Sequence, residues 1–177
     1  MASNRAEPCH APVLRTERLT LRALRSDDRA AFDAMHDGEN FFRFLGPRRS
    51  AAEGWIRALA WAGLWTVYGM GAWVVEDTEG FVGQIVLGPL PRDLDTPLAG
   101  PEAGWVFAEP AWGRGYASEA VGAMLAWSDN RDIPLTTCII EPENRASVRV
   151  AEKNGFRLTG TTDLNGMVNV YARKPAC

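Results

Sequence analysis

Gly113-Arg114-Gly115, followed at once by a helical pattern, is where residue types and spacing in this chain most directly make a binding site. Two glycines allow a tight turn that no Cβ obstructs. Upstream, Val106 and Phe107 favour a strand that Glu109-Pro110 stops. Downstream, apolar residues at 117, 120, 121, 124 and 125 follow the spacing of an amphipathic helix. A strand feeding such a turn into a helix N-terminus aims unpaired N–H groups and the positive end of the helix dipole at one point. That point is an anion site, and phosphate is its usual guest. The triphosphate loop G-x-x-x-x-G-K-[ST] does not fit, because no Lys-Ser or Lys-Thr pair follows these glycines. Ser118 and Asp132 weakly match a dinucleotide fingerprint, but here it falls far down the chain, after several strands.

Other residues carry chemistry of their own. Glu102 opens the same strand, two residues before Gly104, where a carboxylate could take a proton from a nucleophile or simply sit as a solvated strand-end charge. Asn144 precedes a short helix as an N-cap would, with Ser147 one turn on; Gly155-Phe156 resembles a helix-ending glycine with its hydrophobic follower. Cys138 lies among Thr136, Thr137, Ile139 and Ile140 with no histidine nearby to activate it, which makes it a buried thiol rather than an acyl-carrying nucleophile. Cys9, Cys138 and Cys177 are scattered, and His10 and His36 are the two histidines, so neither a disulfide framework nor a metal site is expected.

Three stretches occur in a telling order: Leu14-Arg15-Thr16-Glu17-Arg18-Leu19-Thr20-Leu21-Arg22, then Trp112-Gly113-Arg114-Gly115-Tyr116-Ala117, then Asn154-Gly155-Phe156. With Asn144-Arg145-Ala146-Ser147 between the last two, the chain resembles the GNAT N-acetyltransferase superfamily. Within it, the likeness is to the branch of the ribosomal-protein-alanine acetyltransferases. One departure is Pro110, three residues before the first glycine, where the superfamily has Gln or Arg.

The resemblance implies acetyl-CoA as acetyl donor and transfer to an amine by direct attack in a ternary complex. A protein N-terminal amine is the favoured acceptor and a small amine the next. It implies cofactor contacts from Val106, Phe107 and Ala108 on the central strand, from Ala111, Trp112, Gly113, Arg114, Gly115, Tyr116 and Ala117 in the loop, and from Asn144 and Ser147 on the later helix. Backbone N–H groups around Phe107 and Ala108 would steady the oxyanion, and Glu102 would be the catalytic base. The tyrosine with which many relatives protonate the thiolate is replaced by Ala151; Tyr116, Tyr171, water or no acid would serve instead. The rival is an acyl-CoA-binding domain without catalysis.

Composition bounds the rest. At 177 residues, 46% hydrophobic and 23% charged, the chain reads as one globular domain over residues 13–177 behind a loose polar arm at 1–12. No apolar run reaches the roughly 18–20 residues of a membrane span, and the first residues lack a leader's apolar stretch, so a cytoplasmic protein without membrane contact is expected. A net charge of −3 argues against nucleic acid and suits a cationic acceptor. Monomer and homodimer stay open.

The elements that must position these groups follow from periodicity. Residues 13–24 alternate as a half-buried strand, with Leu19, Leu21 and Ala23 inward and Arg18, Thr20 and Arg22 outward. Ser26 should cap a helix stopping at Gly38; Ser50 should cap the next, with Glu53 closing a capping box. Between them is a bend rich in phenylalanine, Phe41, Phe42 and Phe44. Strands are expected at 72–76 and 81–87 through an Asp77-to-Gly80 hairpin. Others are expected at 135–140, 157–161 and 167–172, with helix at 144–154 and a turn at Asn165-Gly166. The expected fold is α/β (α+β): one domain, a mixed and mostly antiparallel sheet of about seven strands, and about four helices. The resemblance adds a central V where strands splay apart and the cofactor lies.

Overall fold

The structure, a computed structural model, describes residues 10–175. Its sheet has eight strands: β1 (Leu14–Arg15), β2 (Thr20–Arg22), β3 (Ala72–Asp77), β4 (Gly80–Gly88), β5 (Glu102–Phe107), β6 (Thr136–Ile140), β7 (Arg157–Asp163) and β8 (Met167–Arg173). They lie in the order β1-β2-β3-β4-β5-β6-β8-β7. Every pairing is antiparallel except β5 with β6, and that parallel pair holds a single aligned position, Glu102 opposite Thr137. Beyond it the two strands part, so the sheet opens in a V at its centre.

Four α-helices cover the sheet: α1 (Arg29–His36), α2 (Ala51–Tyr68), α3 (Tyr116–Asp129) and α4 (Arg145–Lys153). Alternation along β3 and β5 separates two cores. Trp73, Val75, Ala103 and Phe107 pack with Ala120, Val121, Met124 and Leu125 of α3, whereas Val74 and Val106 pack with Phe32 and Ala58 on the α1–α2 side. The indoles of Trp65, Trp73 and Trp127 meet edge to face at 4.7, 5.4 and 5.3 Å, tying α2, β3 and α3 together. Ser50 and Glu53 form the expected capping box, with Ser50 N–H donating to the Glu53 carboxylate at 2.8 Å and Glu53 N–H to the Ser50 hydroxyl at 3.3 Å.

Several expectations need correction. The strand at 13–24 is broken into β1 and β2, because Thr16 N–H donates to the Leu19 carbonyl at 3.0 Å and the Leu19 N–H returns to the Thr16 hydroxyl at 2.9 Å. This division makes eight strands instead of seven. Arg22 does not face solvent: it is buried, donating to Asp28 at 2.8 and 2.7 Å and to Glu76. Ser26 caps nothing; residues 26–28 form a 3₁₀ turn that the Asp28 carboxylate closes by accepting from Arg25 N–H at 2.7 Å. Of the expected arm, residues 1–9 lie outside the described residues. Its end is packed: Ala11 is buried, and the Pro12 carbonyl accepts from the Trp73 indole at 2.9 Å.

Candidate active site

The loop between β5 and α3 takes the geometry its glycines allow. Gly113 and Gly115 hold φ of +76° and +81°, in the left-handed region that favours glycine. Gly115 is the N-cap of α3 and offers no side chain, so the first N–H groups of the helix point outward without a capping oxygen. The loop is fastened from outside by Arg18 in the β1–β2 turn. Its guanidinium donates to the Arg114 carbonyl at 2.9 Å and to the Glu119 carboxylate at 2.6 and 2.8 Å, and lies 4.9 Å from the Tyr116 ring. Burial pushes the Glu119 carboxyl up, but the Thr16 hydroxyl and Arg18 outweigh it and hold it below the ordinary glutamate range.

A cavity of about 350 Å³ runs along the V from this loop. Ten of the twelve expected contact residues line it: Val106, Phe107, Ala111, Trp112, Gly113, Gly115, Tyr116, Ala117, Asn144 and Ser147. Asn144 lines it while also capping α4, its side-chain oxygen accepting from Ser147 N–H at 3.1 Å. Two expected residues stand apart. Arg114 turns back over the Tyr116 ring at 4.6 Å and toward Asp77 at 3.4 Å. Ala108 spends its N–H on the Val82 carbonyl at 3.0 Å, and so cannot donate to an oxyanion. Because N–H groups alternate along an antiparallel pair, the Phe107 N–H turns the other way, into the gap toward β6.

Sequence reasoning missed the cationic side of this cavity, Arg149 and Lys153. Their i, i+4 spacing on α4, following Asn144 and Ser147 in sequence, was the available signal. The phenylalanine bend supplies Phe41 and Phe44 to the opposite wall. A long cavity with free N–H groups and two cations fits an elongated ligand bearing phosphates, whose reactive end reaches Val106 and Phe107.

Glu102 is neither solvated nor a lining residue of that cavity. It is 3% exposed, and its two oxygens accept from Arg92 Nε and NH2, each at 2.5 Å. By strand alternation it shares the α1–α2 face of β5 with Val106. Cys138 is buried, and burial, with Glu102 nearby, pushes its thiol far above the ordinary range, as suits an inert core group. Ala151 is wholly buried, leaving no acid at that place. The Tyr116 hydroxyl donates to Asp77 at 3.1 Å; burial and that bond raise its pKa, and Tyr171 is buried in the sheet. Glu109, at the end of β5, holds the phenylalanine bend by accepting from Asn40 N–H at 2.6 Å.

A family model for the acetyltransferase (GNAT) domain matches residues 18–157. The chain is 32% identical over 172 residues to the uncharacterized protein YkkB of Bacillus subtilis, across 90% of this chain and 94% of that one. An acetyltransferase from Agrobacterium tumefaciens superposes with a TM-score of 0.80 at 30% identity, across 92% of this chain and 94% of that one. RimL, a ribosomal alpha-N-protein acetyltransferase solved in complex with coenzyme A, shares the fold with a TM-score of 0.75 at 20% identity, across 92% and 98%.

Proposed function

The chain belongs to the GNAT acetyltransferase family, and from that premise we propose that it moves the acetyl group of acetyl-CoA to a primary amine by direct attack in a ternary complex. The observation that carries this reading is the V between β5 and β6, which ends on the Gly113–Gly115 loop and is walled by α3 and α4. In it, loop N–H groups with Arg149 and Lys153 hold the phosphates, and the Phe107 N–H receives the thioester oxygen as charge develops on it. The amine nitrogen bonds to the acetyl carbon, the carbon–sulfur bond breaks, and the proton lost by the amine balances the thiolate released. Glu102 takes that proton through water, using the lone pairs that Arg92 leaves free. A peptide N-terminal amine is the favoured acceptor, by likeness to RimL.

Free-thiol release from acetyl-CoA, measured against amines and short peptides, tests the reading. Release that depends on the amine is expected. Stabilisation by acetyl-CoA without release would favour an acyl-CoA-binding domain, the alternative that the buried Ala151 and the clamped Glu102 support. Neither effect would sink both.

A further inference from the structure

Behind Phe41, Leu45 and Val106, which it shares with the main cavity, lies a second pocket of about 60 Å³ on the α1–α2 face of β5. The same face of β5 carries Glu102, the proton acceptor of the proposed reaction, so on that reading an acceptor amine approaches from this side. Its polar lining is Arg49, Arg57, His36 and Gln84, with neither Asp nor Glu among its lining residues. Arg49 donates to the Leu45 carbonyl at 3.3 Å, and Arg57 lies over the Trp61 ring at 4.5 Å; neither makes an ion pair with a described residue. The carboxylate that acts on Arg57, Glu102, pairs through both oxygens with Arg92 and makes no hydrogen bond or ion pair with Arg57. Burial, then the charges of Arg49 and Arg92, pull the Arg57 pKa down to about 10 against the opposing pull of Glu102. Gln84 is 3% exposed, and its Nε2 has no acceptor among the described residues.

Guanidinium groups and an amide N–H all donate, and the pocket offers them no anion of its own. A buried donor without a partner costs stability until something accepts from it. We propose that this pocket takes a carboxylate carried on the acceptor within about one residue's length of its amine. The enzyme then selects amines with an adjacent acid, either a free amino acid or a peptide with an acidic N-terminal residue. The planar carboxylate matches the guanidinium fork, and the volume holds that group with a few carbons but no nucleotide. A purely cationic acceptor, such as a polyamine, meets two arginines and is repelled, which reverses the expectation drawn from net charge alone. The assignment rests on the acetyl-transfer reading for its biological sense, though not for its chemistry.

Two matched acceptor pairs test it: alanine against alaninamide, which differ only in the free α-carboxylate, and C-terminally amidated peptides beginning Asp-Ala against Asn-Ala. In at least one pair the acidic member should have a kcat/KM about 10- to 100-fold higher, and the pair that shows this identifies the source. Arg57→Met should bring that ratio close to one, and Arg49→Met, a second variant against loss of folding in the first, should lower it. Equal rates within both pairs, or a ratio that survives both substitutions, overturns the proposal. Calorimetric binding of glutarate against glutaramide, with coenzyme A present, separates this from failure of the enzyme reading. Where no amine releases thiol, glutarate binding that is lost in Arg57→Met still upholds the pocket, and no glutarate binding overturns it.

Discussion

Glu102 shows how a single residue can be found in a sequence while its surroundings stay hidden. Its place at the head of the central strand is legible from the Glu-x-Gly-Trp pattern. Its burial is not, because the partner that makes burial tolerable, Arg92, comes from a Pro-rich loop with no periodicity to read. A carboxylate removed from water needs such a partner, and a bidentate arginine is the strongest available. In the role of proton acceptor proposed for it, Glu102 replaced by Gln should lower kcat by roughly 10²–10⁴-fold while acetyl-CoA affinity holds. A raised KM at constant kcat would assign it instead to orienting Arg92 toward the acceptor. Unchanged values of both would remove it from the reaction.

At the scale of elements, the β5–loop–α3 unit was readable because glycines, strand formers and helical spacing occur side by side. What fastens the loop was not readable. Arg18 and Glu119 lie 101 residues apart, and only the fold brings the β1–β2 turn against the helix start. The strand break between β1 and β2, missed in the alternation of residues 13–24, is what presents Arg18 there. Gly115→Val places a β-branched residue at φ +81°, a strained conformation outside glycine, and the helix start must shift to relieve it. Acetyl-CoA at a hundred times its dissociation constant should stabilise the parent by about 2.7 kcal/mol. In the variant that melting shift should vanish while the unliganded protein still unfolds cooperatively. An unchanged shift would move the phosphate site elsewhere.

For the molecule as a whole, the fold class and the order of elements were legible, since each rests on local patterns. The central V was expected from the resemblance alone, because pairing between distant strands is written in no single segment. Stability under acid is likewise a property of assembly. Burial pushes the Asp28 carboxyl up, but Arg22 and the Arg25 N–H outweigh it and hold it below the ordinary range. The unfolded carboxyl, near ~3.9, therefore takes up its proton first as pH falls, and stability present above about pH 4 is lost below it. Urea unfolding between pH 6 and 2.5 should show that acid limb, and Asp28→Asn should make it shallower. The variant should also lose stability at neutral pH, by less than the about 3–5 kcal/mol of a wholly broken buried pair, because Glu76 still pairs with Arg22. A limb of unchanged slope would refute this account. The parting of β5 from β6 has a last consequence. A strand edge inside a sheet is still an edge, with the unpaired donors and acceptors that elsewhere recruit foreign chains into aggregates. Here α3 and α4 wall the opening, so a stray strand would have to enter lengthwise between two helices. The notch thus admits a narrow ligand while guarding the protein against its own kind.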